Sequence, residues 1–186
     1  MIEGEVVMSL ITPVKKDDAP AEVKEKLEGI EQQFGMIPNG AGVIAHSNCS
    51  LDMFLKMQGS LAEGELDETQ REMIALAVSQ ANECRYCVSA HTEFCNGLGL
   101  DTADIIKSRL CEADNAKDQA MLDLAVAIVE NKGGDVEDQI NDARDNGLTD
   151  GQIIEVVSNV INIIYGNYVN KLAETEIDFP VCKMDL

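Results

Sequence analysis

No stretch of this chain alternates apolar and polar residues as a half-buried strand does; its apolar residues return every three or four positions instead. That period dictates helices, and the punctuation between them says where each stops. In "AEVKEKLEGIEQQFG", Val23, Leu27, Ile30 and Phe34 share one helical face, and Gly35 and Pro38 end the run. The stretch "AGVIAHSNCSLDMFLKMQGSLAEG" reads as two short helices meeting near Ser47–Ser50. "LDETQREMIALAVSQA" offers Asp67 as an N-cap with Gln70 three residues on, a capping box, ahead of an interior that predicts a largely buried helix. "LDTADIIKSRLCEA" opens on Asp101, "AKDQAMLDLAVAIVENKGG" runs to a double-glycine stop, and "VEDQINDARDNG" is another short helix. The last, "LTDGQIIEVVSNVINIIYGNYVNKLAE", starts at a Thr149/Gln152 capping box. Its Ile153, Ile154, Val157, Val160, Ile161, Ile164 and Tyr168 keep the 3.6-residue period. The expectation is one all-α domain of short antiparallel helices over residues 1–186, with an irregular arm at 1–20, a core at about 21–175 and a tail at 176–186.

Charge narrows the partners. Thirty-four Asp and Glu against fourteen Lys and Arg give a net charge of −20, which repels phosphate backbones and anionic lipid. Nucleic acid and membrane surfaces are therefore not expected partners. No apolar run has the length to span a bilayer, and the acidic start "MIEGEVV" does not read as an export signal. A cytoplasmic location is expected, where most of the six cysteines would be free thiols and a close pair becomes a redox or metal candidate.

That pair lies in "NECRYCVSAHTEFC", residues 82–95. With Asn82 as a helix N-cap, Cys84 falls in the first turn and Cys87 one turn later, close enough for their sulfurs to close a disulfide. The positive end of the helix dipole stabilises a thiolate there; Arg85 adds to the effect and Glu83 opposes it. Cys84, Cys87, His91 and Cys95 share one narrow face, with His91 a turn beyond Cys87, placed to take its proton or pair with its thiolate. Such parts suit a thiol peroxidase or a disulfide exchanger: a thiolate attacks a peroxide, becomes a sulfenic acid, and is resolved by its neighbour. Two other readings compete. Zinc could take Cys84, Cys87 and His91 with Cys95 as the fourth ligand, or both cysteines could be inert core residues.

The stretch "REMIALAVSQANECRYCVSAHT", residues 71–92, closely resembles the carboxymuconolactone decarboxylase-like superfamily, most of all its alkylhydroperoxidase D branch. The signature of that branch is Glu, eleven residues, Cys-x-x-Cys, three residues, His, read here as Glu72, Cys84, Cys87 and His91. "GMIPNGAGVIAHS" upstream and "NYVNKLAETEIDFP" downstream extend the resemblance to roughly residues 34–180. One departure is Tyr86, where the best-studied members have a histidine. The resemblance implies an all-helical alkylhydroperoxidase D-like fold, assembled as a homo-oligomer, trimeric or hexameric. It implies peroxide reduction, with Cys87 as the peroxidatic thiol, Cys84 as its disulfide partner, His91 as the base and Glu72 in the proton relay. No cofactor is implied beyond the redox-active disulfide; the partners would be hydrogen peroxide or a small organic peroxide, and a protein or lipoyl-type dithiol reductant. An electron-relay role with little peroxidase activity is the alternative from the same site. The decarboxylase branch lacks the cysteine pair, so that activity is not expected.

Geometry sets a condition. On one straight helix Glu72 and Cys84 would lie about 18 Å apart, too far to share a proton path. The relay requires a break near Ser79–Asn82. Of the other candidates, Cys95 is expected to be a packed small hydrophobe rather than a second resolving thiol. Cys49 and Cys111 are expected to be structural or incidental, Cys182 a free thiol in the tail, and His46 a locally satisfied histidine.

Overall fold

The computed structural model describes residues 9–186, so the acidic start read above lies outside the described residues. A 3-10 turn at Lys16–Asp18 precedes nine α-helices, with no strand among the described residues. They are α1 (Ala21–Phe34), α2 (Asn39–Ile44), α3 (Asn48–Ala62), α4 (Glu68–Ala81) and α5 (Arg85–Gly97). After them come α6 (Thr102–Arg109), α7 (Ala116–Asn131), α8 (Glu137–Asp145) and α9 (Asp150–Ala173). No helix among the described residues is long and apolar enough to cross a membrane.

Local chemistry accounts for most of the boundaries. Asp67 and Thr149 each accept a hydrogen bond from a backbone N–H three residues on, and Gln70 and Gln152 complete the two capping boxes. Asp101 and Ser47 cap α6 and α3 in the same way, each such cap stabilising its helix by about 1 kcal/mol. Gly35, at φ 73°, closes α1 in the left-handed conformation that glycine adopts without a steric cost.

Helix α4 packs against α5, α6, α7 and α9. The main core joins Ile74 and Val78 of α4 to Met121, Leu122 and Leu124 of α7 and to Val156 and Val160 of α9. A second core holds Leu27, Ile30, Ile44 and Leu51, from α1, α2 and α3. Burying each such side chain is worth about 1.5–3 kcal/mol. Helix α9 divides its apolar residues in a way its period does not disclose. Ile153, Val156 and Val160 face the core, while Ile154, Val157, Ile161 and Tyr168 are exposed.

The expected cap of the cysteine helix is corrected. Asn82 is the last residue of α4's C-terminal cap, not the N-cap of α5. Glu83 N–H donates to Gln80 O at 3.0 Å and Cys84 N–H to Ser79 O at 2.9 Å, the paired bonds of a Schellman turn. The turn needs a left-handed residue, and Glu83 takes that conformation at φ 53°. Because no glycine marks the stop, the sequence points to Asn82 instead. The chain emerges from the turn with Cys84 itself as the N-cap of α5.

Candidate active site

The Schellman turn folds α5 back beside α4, which satisfies the condition set by the Glu72–Cys84 spacing. His91 Nδ1 lies 2.7 Å from Glu72 Oε2, across the two helices and with both side chains mostly buried. Glu72 thus reaches across to the cysteine helix. Its bond holds the imidazole N–H at Nδ1 and leaves Nε2 as the acceptor. Phe94, a turn further along α5, packs edge-on to the His91 ring with centroids 5.6 Å apart and fixes its plane.

Cys84 and Cys87 lie at disulfide distance, with Cα atoms 5.3 Å apart. Both are buried, at 1% and 5% exposure. Cys84 Sγ also accepts the Cys87 N–H at 3.4 Å, a sulfur acting as helix cap. Both sulfurs thus sit at the positive end of α5, where a thiolate is favoured. Arg85 contributes differently from the expectation: its Nε donates to Cys182 O at 3.2 Å, tying down the tail.

Asn170 of α9 is a residue that sequence reasoning missed. Its side chain is buried, and its Nδ2 lies 3.5 Å from Cys87 Sγ. Its Oδ1 has no partner among the described residues. Gly40 makes room for it, since a Cβ there would come 2.8 Å from Asn170 Oδ1 and 3.0 Å from the Tyr86 ring. The available signal was the run of asparagines on α9, Asn159, Asn162, Asn167 and Asn170, all buried in place of apolar residues.

Tyr86, the departure from the family signature, is an anchor. Its hydroxyl accepts the Gly40 N–H at 2.8 Å and donates to Asp178 Oδ1 at 3.0 Å, while Asp178 Oδ2 accepts the Asn39 N–H at 2.7 Å. Burial, with Asp178 adding to it, keeps the phenol protonated far above its usual range. Asp178 pulls the tail across the site, and Phe179 packs edge-on to Tyr86 and Phe94 in one cluster with both cysteines. Further along, Cys182 N–H donates to Ser89 Oγ at 3.1 Å, and Gln80 Nε2 donates to Met184 O at 3.0 Å.

The remaining candidates fall outside this cluster. Cys95 is fully enclosed beside Leu76 and Ile105, and burial, with Glu72 adding to it, pushes its thiol up to about 12. Burial and Asp123 do the same to Cys111, also to about 12. Cys49 is exposed, and Cys182 is partly so. His46 is satisfied locally, with Nε2 2.8 Å from Thr12 O. It lines a cleft of about 330 Å³ that shares no lining residue with the cysteine site. No group of three or more His, Cys, Asp or Glu side chains placed to hold a metal occurs among the described residues.

The carboxymuconolactone decarboxylase family matches residues 50–114, which take in Glu72, Cys84, Cys87 and His91. Over that segment, about a third of the chain, the chain is similar to this family. No curated protein matches it. Among solved structures, an uncharacterized peroxidase-related protein from Ralstonia eutropha JMP134, described as an alkylhydroperoxidase AhpD core, is 22% identical with a TM-score of 0.82, over 91% of this chain and 92% of that one. Another, from Silicibacter sp. TM1040, is 24% identical with a TM-score of 0.81, over 93% and 95%. The debrominase Bmp8, as a cysteine-to-alanine variant in complex with 2,3,4-tribromopyrrole, is 18% identical with a TM-score of 0.80, over 94% of each chain. These likenesses establish the AhpD-like helical fold.

Proposed function

We propose that this chain is a thiol-dependent peroxidase of the alkylhydroperoxidase type, working through Cys87, Cys84, His91 and Glu72. The observation that carries the reading is the Glu72–His91 pair, brought by the α4–α5 turn to the helix that holds two adjacent sulfurs. In the reduced form His91 Nε2 accepts the Cys87 proton, and Glu72 balances the imidazolium. The Cys87 thiolate attacks one peroxide oxygen and breaks the O–O bond. The departing alkoxide takes the proton from His91 and leaves as alcohol, with Cys87 as sulfenic acid. Cys84 thiolate then attacks the Cys87 sulfur, the hydroxide leaves as water on protonation, and the disulfide forms. A small dithiol, of lipoyl type or borne on a protein, reopens it by exchange and is itself oxidised.

Two details support Cys87 as the attacking sulfur. Asn170 offers it a side-chain donor, and His91 follows it by one helical turn. The burial of both sulfurs under Phe179 favours a small acceptor over exchange with a folded protein, which would have to reach past the tail.

The test is peroxide consumption by the reduced protein with a panel of dithiol and lipoyl-type reductants. Loss of two thiols per peroxide and formation of the Cys84–Cys87 disulfide are expected. No peroxide-dependent loss of thiols would sink the reading. A brominated aromatic belongs in the panel, because a protein of the same fold is a debrominase. Thiol loss with that compound alone would make the acceptor a carbon–halogen bond.

A further inference from the structure

Cys84 and Cys87 are shut away more completely than sulfur chemistry allows. Thiol–disulfide exchange brings an attacking sulfur into direct contact with one of the pair, yet the two residues are only 1% and 5% exposed. Part of the wall around them has to move. Tyr86, Ala90 and Phe94 belong to α5 itself. Met36 lies in the short link between α1 and α2, where Phe34 packs on Phe94 with ring centroids 5.1 Å apart. The rest of the wall is Ile177 and Phe179, in a tail that forms no helix, so lifting it breaks no helical hydrogen bond.

The tail is held at two points, and Phe179, Pro180 and Val181 span the gap between them. At the near point Asp178 accepts the Tyr86 hydroxyl and the Asn39 N–H. At the far point every bond uses the tail's main chain. Cys182 N–H donates to Ser89 Oγ at 3.1 Å, while Arg85, Arg109 and Gln80 donate to the carbonyls of Cys182, Lys183 and Met184. Arg109 Nε also donates to Gln80 Oε1 at 3.0 Å, so these two side chains grip the tail together.

Arg109 sets the strength of that grip. It is 7% exposed, and its hydrogen-bond partners among the described residues are the neutral oxygens of Gln80 and Lys183, not a carboxylate. A guanidinium shut from water without an anion carries a desolvation cost comparable with the few hydrogen bonds that shut it in.

We propose that residues 179–184 are a gate over the cysteine pair, swinging on Asp178, with Phe179 as its plug and the bonds at 182–184 as its latch. As the latch parts, water reaches Arg109 and its desolvation cost disappears, which offsets the bonds that are lost. The gate therefore opens locally while the helices stay folded. It governs access by any reagent to the sulfurs, so it stands apart from the peroxidase reading.

The test follows reduction of the oxidised full chain by dithiothreitol, which closes to its own ring disulfide as Cys84 and Cys87 become two thiols. The wild type, Phe179→Ala and Ser89→Ala are compared, with urea added in steps below the unfolding transition. Ser89→Ala takes the acceptor from the Cys182 N–H in the closed state. Phe179→Ala is expected to speed reduction by about tenfold and Ser89→Ala by about threefold, because each loosens only the closed form. The wild-type rate should change little with urea, since a local opening exposes little surface. An unchanged or slower rate in either folded variant would overturn the gate. So would a wild-type rate that climbs with urea as steeply as global unfolding does, a reading that needs no variant to fold. A chain that consumes no peroxide yet gives the expected rates loses the peroxidase reading and keeps the gate.

Discussion

Helix α9 has two sides that reverse the usual distribution of side chains. Its inner side buries Asn159, Asn162, Asn167 and Asn170, while its outer side exposes Ile154, Val157, Ile161, Tyr168 and Leu172. The inner asparagines mostly have work: Asn167 bonds Ser79 Oγ at 3.1 Å and Asn82 Nδ2 at 2.9 Å, holding the turn that carries Cys84, and Asn170 reaches Cys87. Buried amides are costly unless paired, so they persist where they position something. The outer isoleucines are exposed among the described residues. The contrast teaches that polarity on this helix reports on neighbours rather than on distance from the centre of the chain.

Mutations on the two sides should separate accordingly. The largest effect belongs to the sulfurs on the inner side. Cys87→Ser is expected to abolish peroxide consumption, and Cys84→Ser to leave a sulfenic acid on Cys87 that a dimedone-type trap captures by mass. Next comes the relay. Glu72→Gln should lower turnover by about 10²-fold, the scale of general acid–base catalysis, with the loss read as a change in the pH–rate profile. If Glu72→Gln and Ile161→Glu lower activity equally, the proposed division between the two sides of the molecule fails.

Asn170 gives a finer test. Asn170→Ala removes the side-chain donor beside Cys87 Sγ and should slow peroxide-dependent thiol loss by about tenfold if that bond is worth about 1.4 kcal/mol in the reacting state. Leu172→Ala, on the outer side of the same helix, should leave that rate unmoved. A smaller effect is expected at the tail anchor. Tyr86→Phe strips the Gly40 N–H and Asp178 of a partner and should destabilise the fold by about 1–3 kcal/mol in chemical denaturation. The smallest is Glu83→Gly, which relieves a left-handed glutamate and should stabilise by about 1 kcal/mol, about 2–4 °C in Tm.

These expectations also show what was legible in advance. Helix identity and most boundaries could be read because they rest on local chemistry: the boxes at Asp67 and Thr149, the caps at Asp101 and Ser47, and the stop at Gly35. The Glu72–Cys84 spacing requires the break between α4 and α5, but the sequence points to a cap two residues too early, at Asn82 rather than Cys84. Glu83 adopts a conformation that its side chain does not advertise. Asn170 and Asp178 could not be linked to the cysteines, because their partners lie 83 and 92 residues away in the chain. The period of α9 revealed a helix but not which apolar residues face inward, since two stripes overlap in one apolar run.

The sulfur that caps α5 has a further consequence. A thiolate accepts a hydrogen bond more strongly than a disulfide sulfur does, so reduction followed by loss of the Cys84 proton tightens the cap that Cys84 makes to the Cys87 N–H. Electron content and helix fraying are then two readings of a single equilibrium. Amide exchange in the first turn of α5 should slow when the pair is reduced. By the same linkage, any change elsewhere in the molecule that holds the reduced form's first turn more firmly than the oxidised form's makes the pair a stronger oxidant.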